Sequence, residues 1–142
     1  FMVEKKNSAF ARVHISYDGR VQKWFLGPQA KARYENEVRV LEYLASKDCN
    51  FVPRLLEKDA IEFKITTTNC GHKVEYLSNK KCNALFDELE KYGVRHKDQA
   101  LRNITYSAQI GRFCLIDFEF ASILEKGFDA GPEPFFNPNL DA

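Results

Sequence analysis

His96, Asp98 and Asn103 stand in one polar run, His-Lys-Asp-Gln-Ala-Leu-Arg-Asn, and an apolar stretch ending in Ile116, Asp117, Phe118 and Glu119 follows one hairpin's length later. Residues 104–106 and 112–116 are short apolar or β-branched runs, and residues 107–111 between them have a polar centre and a glycine suited to a turn. Two strands joined by so short a turn run antiparallel, so the chain that leaves Asn103 is brought back beside it at Asp117. The fold must therefore present two carboxylates and an amide at one place.

That combination is what phosphoryl transfer from ATP needs. One carboxylate orients and deprotonates an attacking hydroxyl, while an amide oxygen and a second carboxylate hold the magnesium ion that neutralises the phosphates. The expectation is Asp98 as catalytic base, with Asn103 and Asp117 as magnesium ligands. Each alone is an ordinary loop or strand-end residue; their order and spacing carry the reading.

With 142 residues, 44% of them hydrophobic, the chain can bury one sizeable core. A single domain over residues 1–142 is expected, divided into an N-lobe at about 1–68, a hinge at 69–71 and a reduced C-lobe at 72–142. Lys and Arg (21) nearly cancel Asp and Glu (20), and a net charge of +1 gives no field for a nucleic-acid backbone, so no nucleic-acid partner is expected. Cys49, Cys70, Cys82 and Cys114 form no close pair and read as reduced thiols. With no apolar run near 18 residues, no membrane association is expected and the cytoplasm is the expected compartment.

Along the chain, residues 10–17 and 20–26 read as a β-hairpin around Asp18 and Gly19. Pro28 suits the first turn of a helix over residues 29–47, whose Tyr34, Val38, Leu41 and Leu44, with Val40 and Ala45 flanking, form one stripe facing a sheet. Residues 54–58 and 61–67 are two more strands, giving four strands and one helix in the first half. Residues 83–92 form the second helix, with Leu85, Phe86 and Leu89 inward and Gly93 as its stop. Residues 131–142, rich in Pro, Gly and Asn, read as irregular.

With these elements in order, the chain resembles the protein-kinase-like superfamily. Its H-x-D-x-x-x-x-N loop and D-F-G motif match His96, Asp98, Asn103, Asp117 and Phe118, with Glu119 in place of the glycine. The string Leu115-Ile-Asp-Phe-Glu-Phe-Ala121, followed by Gly127, Phe128 and Asp129, is more similar to the choline kinase and aminoglycoside phosphotransferase branch, where I-D-F-E-Y and a later F-D recur. The resemblance implies a minimal protein-kinase-like α+β fold: a small antiparallel sheet with one long helix, then a reduced helix-and-hairpin C-lobe. ATP and Mg2+ are implied as cofactors, with an unidentified phosphate acceptor and a protein partner that completes the reduced C-lobe. Lys23 is implied as the phosphate-contacting strand lysine and Glu37 as its helix partner, with Lys31 and Glu35 as rivals. Thr68, Asn69 and Cys70 fall at the hinge that would bond adenine, and His96 and Phe118 take supporting roles.

The sequence also departs from that family. The glycine-rich phosphate loop is missing, Gly19 being the only glycine before Lys23, so a shorter hairpin covers the phosphates and weak ATP affinity is expected. Ala100 stands two residues after Asp98, where a polar or cationic side chain is usual; Lys97 and Arg102 are the nearby cations, but neither stands at the family position, and a solvated or paired role is open to each. The segments that build acceptor pockets are short, which makes choline a poor substrate choice. A nucleotide-binding pseudokinase is the alternative function, and an interaction protein with Phe128, Phe135 and Phe136 as its docking surface is a third; the plainer role for those rings is to cap the C-lobe core.

Overall fold

A computed structural model describes residues 2–135, with residues 2–7 as backbone alone. Strands β1 (Met2–Asn7), β2 (Ala11–Ser16) and β3 (Val21–Phe25) precede helix α1 (Ala30–Ser46), and β4 (Leu55–Asp59) and β5 (Lys64–Thr67) follow it. These strands form one antiparallel sheet in the order β1-β2-β3-β5-β4. The four strands expected from the sequence are thus joined by a fifth. Its Met-Val-Glu-Lys-Lys-Asn carries no sustained apolar alternation to mark it. β5 begins three residues later than the expected 61–67, because the Asp59 carboxylate accepts the N–H groups of Ile61 and Glu62 at 2.9 and 3.1 Å and holds the turn open there. In this register Lys23 pairs with Val13 on one side and Ile65 on the other, at the centre of the sheet.

Helix α1 lies one residue inside the expected bounds at each end. Pro28 sits outside it, since Gln29 takes the N-cap position with φ 57°. Tyr34, Val38, Val40, Leu41 and Leu44 are buried, while Ala45 is exposed. Full burial of such side chains contributes about 1.5–3 kcal/mol each, enough to carry polar neighbours inside with them. Those neighbours are Arg33, Asn36 and Glu37, buried along the same face.

The second half contains β6 (His72–Lys73), α2 (Asn79–Lys91), β7 (Val94–Arg95), β8 (Ile104–Ser107), β9 (Arg112–Leu115) and β10 (Ser122–Ile123). β6, β8 and β9 form one small sheet, and β7 pairs with β10. Helix α2 starts four residues earlier than the sequence pattern indicates, because Ser78 caps it by accepting the Lys81 N–H at 3.3 Å ahead of a polar first turn. The β8–β9 hairpin forms as expected, with Ile104 opposite Leu115 and Thr105 opposite Cys114.

One apolar cluster joins the two halves, running from Phe25 and Leu41 through Phe51 to Leu115 and Phe118. Gly71 is required where they meet: its φ is +96°, and a Cβ there would fall 1.9 Å from the Tyr106 carbonyl oxygen. All four cysteines are free, and burial pushes the Cys49 thiol up to about 11. Among the described residues no helix is long and apolar enough to cross a membrane.

Candidate active site

A cleft of about 990 Å3 opens between the halves, lined by Lys23, Glu37, Asp98, Asn103, Asp117 and Glu119 together with hinge residues 68–71. β3 delivers Lys23 from above and α1 delivers Glu37, one turn beyond Arg33 on the same helix face. The Lys23 ammonium meets Glu37 at 2.9 Å, Asp117 at 3.0 Å and Glu119 at 3.5 Å. Glu37 bridges further, accepting the Phe118 N–H on its second oxygen at 3.0 Å. The motif residues of the second half are thereby fastened to α1 by one carboxylate.

Arg33, fully buried, donates to the carbonyls of Phe10, Leu26 and Pro28 and meets Glu119 at 3.3 Å. Three carboxylates thus face two cations, and the oxygens of Glu37, Asp117 and Glu119 lie within 4.8 Å of one another. Burial would depress the Lys23 ammonium, but Asp117, Glu37 and Glu119 outweigh it and hold its pKa well above normal. Burial would likewise raise Asp117, yet the Lys23 charge and hydrogen bond keep it below the usual carboxylate range. Glu119 goes the other way: burial raises it, and repulsion from Asp117 and Glu37 adds to that against Lys23 and Arg33.

The loop carrying Asp98 is held by side-chain hydrogen bonds. Asp98 N–H donates to His96 Nδ1 at 3.1 Å, so Nε2 carries the ring proton and donates to the Ile116 carbonyl at 2.9 Å. The ring is buried between Phe86 and Phe118, with centroids 5.3 and 5.2 Å away. His96 thus acts as a brace. Asn103 donates to the Asp98 carbonyl and to Oδ2 at 2.8 and 3.0 Å, which leaves its own Oδ1 as the atom that could hold a metal. Arg102 meets both Asp98 oxygens, whereas the Lys97 ammonium bonds the Ala130 carbonyl at 3.0 Å. Of the two cations near Ala100, Arg102 is the one beside Asp98.

At the hinge, the Cys70 carbonyl accepts the Thr105 hydroxyl at 2.6 Å and the Asn69 side chain accepts the Gly71 N–H at 2.9 Å. Thr68 gives its N–H to Arg54 O, and its own carbonyl accepts the Thr67 hydroxyl. Within residues 68–70 the Asn69 backbone and the Cys70 N–H are the backbone groups that could contact a ligand. The hairpin turn over the cleft is also not the one expected. It is the β1–β2 turn at Ser8, Ala9 and Phe10; Ser8 and Phe10 line the cleft, and the Asp18–Gly19 turn does not. Ser8 Oγ accepts the N–H groups of Phe10 and Ala11 at 3.2 and 3.1 Å, so the turn's own hydroxyl occupies these two amides.

No family model and no curated protein matches the chain. Among solved structures it is similar to WbdD in a co-crystal with the kinase inhibitor LY294002, at TM-score 0.62 and 18% identity, over 89% of this chain and 34% of that one. The fold is a minimal kinase-like α+β fold. The chain thus spans about a third of the WbdD chain.

Within this fold, sequence reasoning missed the roles of Arg33, Glu119 and Ser8. Arg33 and Glu37 are four apart on one helix and so share a face, whereas Glu119 follows Asp117 in the loop after β9, where Asp117 has φ 69°. The helix spacing of Arg33 and Glu37 was the available signal. The C-terminal rings also sit elsewhere than expected: Phe128 packs on Tyr43 of α1 and Phe135 on Phe10, so neither caps a C-lobe core, and Phe136 lies outside the described residues.

Proposed function

We propose that this chain is an ATP- and Mg-dependent phosphotransferase that moves the γ-phosphate to a hydroxyl of a small molecule or protein. The observation that carries this is the convergence of Asp98, Asn103, Asp117 and the Lys23–Glu37 pair on one cleft. Asp98 accepts the proton of the acceptor hydroxyl as that oxygen bonds to phosphorus and the bond to the β-phosphate oxygen breaks, with ADP as leaving group. Lys23, steadied by Glu37, orients the α and β phosphates, and backbone at Asn69 and Cys70 receives the adenine edge.

Asp117 and the Asn103 amide oxygen are hard oxygen donors beside a cluster with more carboxylates than cations, a set that fits magnesium. When bound, the ion supplies neutralising charge to the phosphates. Asn103 and Arg102 hold the Asp98 carboxylate in its working orientation, and His96 with Phe118 keeps the loop against the metal residues.

Within the superfamily, the string from Leu115 to Ala121 supports the choline kinase and aminoglycoside phosphotransferase branch. A partner completing the C-lobe would add to the acceptor pocket. The second reading is a nucleotide-binding pseudokinase, favoured by the Arg102 guanidinium covering both Asp98 oxygens. A phosphotransfer screen over sugars, amino alcohols, nucleosides and protein extracts, run with Asp98→Ala as control, separates the two. Product lost in the variant supports transfer, and ATP binding with no product from any acceptor supports the second reading.

A further inference from the structure

The segment after β10 holds groups that the proposed chemistry leaves unused. Over residues 129–135 it reads Asp-Ala-Gly-Pro-Glu-Pro-Phe, and its two prolines exclude helix and ladder pairing, so side chains must hold it. Asp129 pairs with Arg39 of α1 at 3.1 Å and accepts the Gly131 N–H at 2.8 Å. The Ala130 carbonyl accepts the Ser122 hydroxyl at 2.6 Å and the Lys97 ammonium at 3.0 Å, and Glu133 meets that ammonium at 3.3 Å. The segment then crosses to the N-terminal sheet. There the Phe135 ring lies 4.8 Å from Phe10 and 5.5 Å from Phe120, with the Arg33 guanidinium 5.7 Å from its centroid.

One short run of chain thus ties Lys97, the residue before Asp98, to Phe10 in the β1–β2 turn. That turn contains no glycine, and Ser8 already occupies the N–H groups of Phe10 and Ala11. With those two amides closed, phosphate oxygens have less hold on the turn, and the Phe10–Phe135 contact fixes it instead. Phe135 and Pro134 line the same cleft as Lys23 and Asp117.

We propose that residues 129–135 are a strap that holds the β1–β2 turn over the phosphate end of the cleft, with Phe135 as a positioning residue. The proposal rests on the phosphotransferase reading. An aromatic pair of this kind contributes enough to change affinity on the order of tenfold at most.

The test is calorimetric titration of the whole chain with Mg-ATP and, separately, with adenosine, which lacks the phosphates. Phe135→Ala is expected to weaken Mg-ATP about fivefold to tenfold while leaving adenosine unchanged, and Phe135→Tyr to restore most of the loss. Lys97→Met, which releases the other anchor, should weaken Mg-ATP in the same selective way. Equal Mg-ATP affinity in wild type and both loosened variants overturns the strap alone, as does a matching loss for adenosine. Absence of Mg-ATP binding by the wild type overturns the phosphotransferase reading and the strap with it.

Discussion

Arg102 donates to both carboxylate oxygens of Asp98, at 2.6 and 2.8 Å. The pair is four residues apart and the Arg102 side chain is 59% exposed, so as a surface ion pair it would contribute about 0–1 kcal/mol to stability. Under the proposed phosphotransferase function it places a cation where Ala100 supplies none. Arg102→Ala should therefore lower turnover on the order of 100-fold, the effect of removing one stabilising donor. KM for Mg-ATP and the unfolding midpoint should stay near wild type. Steady-state kinetics with a parallel urea titration checks this.

Glu37 joins the halves through Lys23 at 2.9 Å and the Phe118 N–H at 3.0 Å, and its side chain is 4% exposed. Truncation leaves a buried N–H without its acceptor and removes one counter-ion of a buried ammonium. Glu37→Ala is expected to cost about 3 kcal/mol in urea unfolding, at the low end for a broken buried pair because Asp117 and Glu119 remain. A loss below about 1 kcal/mol would mark the pair as solvent-screened.

Asp117 and Glu119 shift in opposite directions and so leave opposite marks on stability. Glu119 is raised when folded, so its contribution is present below its ordinary 4.5 and is lost as pH rises through the folded value. Asp117 is lowered, so its contribution is present above 3.8 and is lost as pH falls through its folded value. Urea midpoints measured across the acid range should fall less steeply on raising pH in Glu119→Gln, and less steeply on lowering pH in Asp117→Asn, than in wild type.

Gly71 tests the hinge. With φ +96° and the Tyr106 carbonyl 1.9 Å from where a Cβ would lie, Gly71→Ala must displace either the hinge or β8. The expected cost is about 2 kcal/mol or more, a melting point lowered by roughly 6–10 °C. Differential scanning calorimetry reads it, and an unchanged melting point would mean the hinge shifts freely.

Much of this arrangement was legible in the sequence because local rules and distant partners agreed. The stripe of Tyr34, Val38, Leu41 and Leu44 marks α1 by period, and the hairpin between Asn103 and Asp117 follows from two short apolar or β-branched runs around a turn. The structure brings Asp98, Asn103, Asp117, Lys23 and Glu37 to one cleft. What stayed hidden depends on contacts that periodicity does not encode. β1 forms from a charged run because β2 offers it an edge, and Arg33 is buried because backbone carbonyls from residues 10, 26 and 28 meet there. Phe135 reaches Phe10 across 125 residues, a distance no local pattern reports.

The most direct measurement is transfer of labelled γ-phosphate from Mg-ATP, to water or to an acceptor, by the wild-type chain and by Asp98→Ala. Release by the wild type and its loss in the variant are expected, with Mg-ATP still bound by both. Wild-type turnover that survives Asp98→Ala, or a wild type that binds no Mg-ATP, would contradict the proposed function.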